Sequence, residues 1–165
     1  VIALKGIFLD VKIQEGARKG MKTTAVKPMR CEFADEGVLW IDKIATGVGV
    51  ILYNPQHKFA AGFHVLRGRS KGQRADNPAY FADTVIEYAV QEFIKRRIPL
   101  KVSVAIAGGA SLLSSNELND VGVGLIAQVK EILADKKLDV KIENIGGTKL
   151  RTMILNVDEG KIKIS

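Results

Sequence analysis

The chain has 165 residues, 47% of them apolar and 26% charged, which suits one globular domain with a substantial core and excludes two domains joined by a linker. Charges interrupt every apolar run short of the about 18 residues a membrane span needs, and the first 20 residues lack the apolar block and cleavage site of a signal peptide, so a cytoplasmic protein with no membrane span is expected. Cys31 is the only cysteine and His57 and His64 the only histidines, which excludes a disulfide framework and the usual zinc sites; the +7 net charge leaves acidic or phosphate-bearing partners open.

In chain order, Ile7, Leu9, Val11 and Ile13 alternate with Phe8, Asp10 and Lys12, the period of a strand with one buried face. The segment EGARKGMKTT that follows reads as a basic loop, and residues 1–30 as a whole set seven Lys and Arg against Asp10 and Glu15. Val38 to Ile41 and Val48 to Tyr53 are short β-rich runs, and Asn54-Pro55 turns the second into a hairpin with Phe59 to Leu66. RGRSKGQRAD is a polar loop whose Arg67, Arg69, Lys71 and Arg74 are candidate binding residues for an acidic surface. Aromatics are 6% and none interleaves with these charges, so direct nucleic-acid binding is not expected.

Asp76 or Asn77 is placed to cap a helix with Pro78 at its first position, and Ala82, Val85, Ile86, Ala89, Val90 and Phe93 recur at helical spacing after it. Lys101 to Ala107 is a strand ending at Gly108-Gly109, and a second helix is expected from Val121 to Lys136 with Asp120 as its cap. Three short strands close the chain near Asp139 to Glu143, Arg151 to Val157 and Lys161 to Ile164. The order is that of an α+β fold with helices on one side of a mixed sheet.

Chemistry-bearing groups are few. The G-x-G fragments at 47 and 49 and at 122 and 124 lack the third glycine and the context of a dinucleotide loop, and no cofactor is expected. Asp83 and Glu87 share one helix face but read as solvated charges. His64, in the apolar run AAGFHVL, is either a core histidine or a catalytic base.

The run NPAYFADTVIEYAVQEFIKRR, the strand end AIAGGASLL and the tail IENIGGTKLRTMILNVDEGKI resemble, in order and spacing, three blocks of the bacterial chemoreceptor glutamine deamidases, the CheD family. The resemblance implies a three-layer α/β/β fold, with residues 1–34 as a basic N-terminal extension carrying one strand and residues 35–165 as the domain. In that family a thiolate at the start of a strand attacks a receptor side-chain amide, and a histidine in the next strand activates the thiol; a covalent thioester splits one hard hydrolysis into two easier steps.

The family's Gly-Ser-Cys-Val-x-Val block reads Ala45-Thr46-Gly47-Val48-Gly49-Val50 here, which puts Gly47 at the nucleophile position. His64, 17 positions later, matches the base, and Ile41, six positions before Gly47, takes the place of a threonine that orients it. Glycine offers nothing that replaces a thiolate, and Thr46 faces away if Gly47 faces His64. Cys31 is then the remaining possible nucleophile, usable only if its segment folds across the pocket.

The resemblance with these departures implies a catalytically inactive binding or scaffold protein whose partner is a chemoreceptor or a phosphatase-type chemotaxis protein, within a chemotaxis or larger motility assembly. The alternatives are a deamidase with Cys31 as relocated nucleophile, and a structural subunit unrelated to chemotaxis.

Overall fold

The computed structural model describes residues 2–3, 20–111 and 116–165, with side chains described for 20–111 and 121–165. Among the described residues ten strands are seen: β1 (Ile2–Ala3), β2 (Thr23–Val26), β3 (Cys31–Ala34), β4 (Val38–Ile44), β5 (Val48–Asn54), β6 (Phe59–Val65), β7 (Ser103–Gly108), β8 (Val140–Ile145), β9 (Arg151–Asn156) and β10 (Lys161–Ile164). Helix α1 spans Ala82–Lys95 and α2 spans Asn116–Asp135.

Every residue of β5 and β6 is buried, so these strands are covered on both faces and read as continuous apolar runs. Val48, Val50 and Leu52 with Phe59, Ala61, Phe63 and Val65 face the helices, packing on Val85, Ile86, Ala89 and Phe93 of α1 and on Val129 and Leu133 of α2. Ile51, Tyr53 and Ala60 face the other way and meet Leu39, Ile41, Met153 and Leu155. Those partners belong to the other sheet, which makes three layers, α/β/β.

The strand order of the first sheet is β1-β10-β9-β4-β2 and of the second β3-β6-β5-β7-β8. Both are mixed: β2 runs parallel to β4, β1 to β10 and β8 to β7, and the other pairs are antiparallel. Periodicity alone reads as a single mixed sheet, because an apolar run reports that both faces are covered and not what covers them.

Several local expectations are corrected. The stretch before residue 35 carries β2 and β3 as well as β1, and they pair with β4 and β6, one strand in each sheet. Four residues give too little alternation to be read, and Thr23 and Ala25 are exposed. Asn77 does cap, its Oδ1 accepting from the Ala79 N–H, but it caps a single 3₁₀ turn at Pro78–Tyr80, and α1 begins beyond it at Ala82. Helix α2 starts at Asn116, which puts Asp120 inside it instead of at its cap. The strand expected at Ile7 to Ile13 lies outside the described residues.

Candidate functional site

Alternation along β6 decides which way His64 points. Phe63 and Val65 face the helices, so Gly62 and His64 face the first sheet. A β-carbon on Gly62 would press into Leu39 and Val26 of that sheet, and one on Gly49, directly across from His64, into Ile44 and Met153. These glycines let the two sheets approach closely beside the histidine.

Gly47 precedes β5 by one residue and shares the face of Gly49. A β-carbon built on it would stand 3.0 Å from Nε2 of His64, so the position matched to the nucleophile and the one matched to the base do meet. The same β-carbon would lie 2.6 Å from Cδ2 of Leu66 and 2.8 Å from the carbonyl oxygen of Val65. A side chain at 47 would need the Leu66 side chain, 43% exposed, to swing aside and the Val65 backbone to shift, and Leu66 is the neighbour that sequence reasoning missed. Nothing in the apolar spelling of the hairpin marks it as a contact of Gly47.

His64 is 2% exposed, and neither ring nitrogen has a hydrogen-bond partner. Burial holds its pKa below the ordinary histidine value, so the ring is neutral at pH 7. Ile41 is fully buried in the layer between the sheets and brings an aliphatic side chain where the resemblance puts a hydroxyl.

Segments far apart in sequence hold this place together. Gly109 and Ala110 donate their N–H groups to the carbonyls of Gly47 and Ala45, both at 2.9 Å. Gly146 donates to Gly108 and Ser111 to Gly147, each at 2.8 Å. Gly108 has a φ of +119°, and a β-carbon there would sit 2.1 Å from the carbonyl oxygen of Gly47, so only glycine fits. On the other side Asn77 donates Nδ2–H to the Met29 carbonyl, and the Met29 N–H donates to the carbonyl of His64, both at 2.8 Å. Of the three blocks that carry the family resemblance, the one at Gly108-Gly109 bonds the Gly47 backbone directly, the one at Asn77 reaches the His64 backbone through Met29, and the one at Gly146-Gly147 braces the turn from Gly108 to Ser111.

Cys31 lies elsewhere. It pairs with Phe63 across β3 and β6, and directly opposed residues share a face, so its thiol lies with Phe63 against the helical layer while His64 lies on the other side of the sheet. Burial, reinforced by the charges of Glu32 and Glu92, pushes its pKa up to about 12. A protonated thiol on the other face of the sheet is not placed for His64 to activate, so the condition on which Cys31 is a possible nucleophile, a segment folded across the pocket, is not met in this arrangement.

The basic loop is partly neutralised. Arg69 contacts Glu131 at 3.0 Å and Asp135 at 3.3 Å on α2, and the guanidinium of Arg67 stacks over Tyr80 at 4.7 Å. Lys71 and Arg74 are exposed. Asp83 accepts from the backbone N–H and the hydroxyl of Ser70, both at 2.9 Å, and Glu87 pairs with Lys136 and Gln91, so the helical carboxylates are tethers for loop and helix. Among the described residues no group of three acidic, histidine or cysteine side chains is placed to hold a metal ion, and no helix is long and apolar enough to cross a membrane.

Residues 66–165 match the family model described as CheD chemotactic sensory transduction, a span that begins two positions beyond His64. A protein of Desulforamulus reducens described as a probable chemoreceptor glutamine deamidase CheD is 34% identical over 123 residues, covering 71% of this chain and 74% of its own length. The chemoreceptor glutamine deamidase CheD of Thermotoga maritima is 30% identical over 129 residues, or 78% of this chain and 81% of that one. A probable chemoreceptor glutamine deamidase CheD of Clostridium botulinum (strain Eklund 17B / Type B) is 31% identical over 122 residues.

Proposed function

The chain belongs to the CheD chemotactic sensory transduction family, and on that premise we propose that it is a binding member of a chemotaxis assembly that has lost hydrolysis. One observation carries the reading: the β-carbon position 3.0 Å from Nε2 of His64 belongs to a glycine. A neutral base beside a residue with no nucleophilic atom performs no acyl transfer. The Val65 carbonyl oxygen supplies the second support, because at 2.8 Å from the β-carbon position it crowds any side chain placed at 47. The unpartnered ring of His64 supplies the third, since a base aimed by no second group is not held in a reactive orientation.

What the domain keeps is a cytoplasmic binding surface. The partner is the helical bundle of a chemoreceptor, the substrate class in the names of its relatives, or the phosphatase-type protein that the family resemblance supplies. Lys71 and Arg74 are exposed basic groups able to steer the domain toward an acidic helical face, with Arg67 and Arg69 shaping the loop that carries them. The deamidase alternative based on Cys31 has no support in its side of the sheet or its raised pKa.

The test is to incubate the purified chain with a chemoreceptor cytoplasmic fragment and, separately, with a phosphatase-type chemotaxis protein. Capture of one of them, weakened by salt, without conversion of glutamine to glutamate by mass spectrometry, is expected. Deamidation abolished by His64→Ala would overturn the loss of hydrolysis, and capture of neither would leave the fold serving an assembly outside chemotaxis.

A further inference from the structure

The end of the molecule away from Gly47 and His64 gathers cations from three separate connections. Strand β5 runs from the Gly47 end to Asn54 and β6 returns from Phe59 to Val65, so the turn between them lies at the far end. There Asn54 donates Nδ2–H to the Pro99 carbonyl at 2.8 Å, which ties this turn to the connection from α1 to β7. Val104 in β7 pairs with Val140 at the start of β8, so the connection from α2 to β8 ends beside them. Residues 55–58, 96–102 and 136–139 carry Lys58, Arg96, Arg97, Lys101, Lys136 and Lys137 against the single carboxylate of Asp139. Arg96 is paired with Glu92 and Lys136 with Glu87. Lys58, Arg97, Lys101 and Lys137 are exposed and form no ion pair among the described residues.

The backbone holds three of these cations at a cost. Lys58, Arg97 and Lys137 have φ of +47°, +57° and +57°, in the left-handed region that a β-carbon strains. Both helices close in the same way. Arg97 and Ile98 donate their N–H groups to the carbonyls of Ile94 and Phe93, and Lys137 and Leu138 donate theirs to Ala134 and Leu133, all at 2.9 Å. Glycine is the usual left-handed residue of this closure. The helix dipole favours a cation throughout the last turn, so it does not single out the strained position, and it does not act on Lys58, which lies in a β-turn. What the three share is an exposed charge at one end of the molecule.

The surroundings of these charges select the partner. Ile94, three residues before Arg97, is 54% exposed, and Pro99 is exposed between Arg97 and Lys101, so aliphatic surface is interleaved with the cations. Long basic side chains that no partner fixes present charge without a set geometry. A fluid layer of lipid phosphates needs none, whereas a folded acidic protein offers acceptors at fixed places. Basic clusters beside exposed aliphatic side chains are what an anionic lipid surface attracts.

We propose that the end of the domain carrying Lys58, Arg97, Lys101 and Lys137 rests on an anionic lipid surface. The Gly47 and His64 end, from which the loop of Lys71 and Arg74 leaves β6, then faces away from the lipid.

The test is cosedimentation of the full chain with phosphatidylcholine vesicles made with and without phosphatidylserine, at low and at high salt. Binding should require phosphatidylserine and weaken as salt rises. Lys58→Gly, Arg97→Gly and Lys137→Gly should each weaken it about fivefold, and the triple variant about 100-fold, from the usual contribution of one basic residue at an anionic surface. Their urea midpoints should equal or exceed that of the parent, because glycine suits all three backbones, which separates lost binding from lost fold. Lys43→Gly is the control. Lys43 is exposed and has a φ of +52°, but it lies near the opposite end of the molecule, and its loss should leave binding unchanged. Three results overturn the proposal. One is no binding to phosphatidylserine vesicles, where retention on immobilised polyglutamate would assign the patch to an acidic protein. The others are a triple variant that binds like its parent, and a Lys43→Gly chain that loses as much as Arg97→Gly, which would make net charge the cause.

Discussion

The β-carbon that Gly47 lacks would stand 3.0 Å from Nε2 of His64 and 2.8 Å from the carbonyl oxygen of Val65. The first contact is what a thiol needs from its base. The second is a backbone atom that does not move aside as a flexible side chain does, so the position has closed around its glycine and is no longer an empty place awaiting a cysteine.

Restoring the family residue should therefore carry a cost. Gly47→Cys is expected to lower stability by about 1–3 kcal/mol through overpacking against Leu66 and Val65. Adding Leu66→Ala removes the side-chain part of the clash, and the new thiol should then react with iodoacetamide faster at neutral pH than it does in a His64→Ala background. Urea midpoints and labelling rates measure the two effects. A Gly47→Cys chain as stable as its parent would show the site to be open.

His64 sets a pH dependence. Its folded pKa lies below the ordinary value and its unfolded pKa is about 6.5. Between the two values the unfolded chain binds a proton that the folded chain refuses, so stability is full above pH about 6.5 and falls as the pH drops toward the folded value. His64→Leu keeps the volume apolar, and it should flatten this slope between pH about 7.5 and 5.5 without loss of stability at pH 8. A slope unchanged by the substitution would assign the titration to other groups.

Cys31 should be inert in the folded chain. With its pKa near 12 and its thiol against the helical layer, it should label slowly at pH 7 and rapidly only after denaturation. Cys31→Ala should leave partner capture unchanged. Fast native labelling at neutral pH would contradict both its partial burial and its protonation.

Two glycines should respond with opposite signs. Gly108→Ala meets the Gly47 carbonyl at 2.1 Å in a left-handed backbone region and should cost more than about 2 kcal/mol, with loss of the link between β7 and Gly47. Gly124, inside α2 with open space around its Cα, should gain about 0.5–1 kcal/mol on substitution by alanine. Thermal or urea unfolding of the two single variants checks the pair, and a destabilised Gly124→Ala would point to a contact on that side of α2.

Much of this protein was decided locally. The apolar spacing from Ala82 to Phe93 made a one-faced helix before any partner was known, and Asn54-Pro55 between two apolar runs made the β5 and β6 hairpin, because helical period and turn chemistry act over a few residues. The 17-residue separation of Gly47 and His64, read through the family resemblance, also survived folding, since hairpin register converts separation along the chain into opposition across it. Helix onset was less legible: Asn77 caps as expected, but the next turn is 3₁₀ and α1 waits until Ala82. What lay beyond the sequence was set by partners distant along it. The four residues of β2 and of β3 become strands only by pairing with β4 and β6, and the opposition of Cys31 to Phe63 puts the thiol on the face His64 does not use. The crowding of position 47 by the Val65 carbonyl and Leu66 likewise depends on how the hairpin strands sit against each other, and no residue's identity states it. Which face a side chain takes is a property of register, and register is settled only when both strands are present.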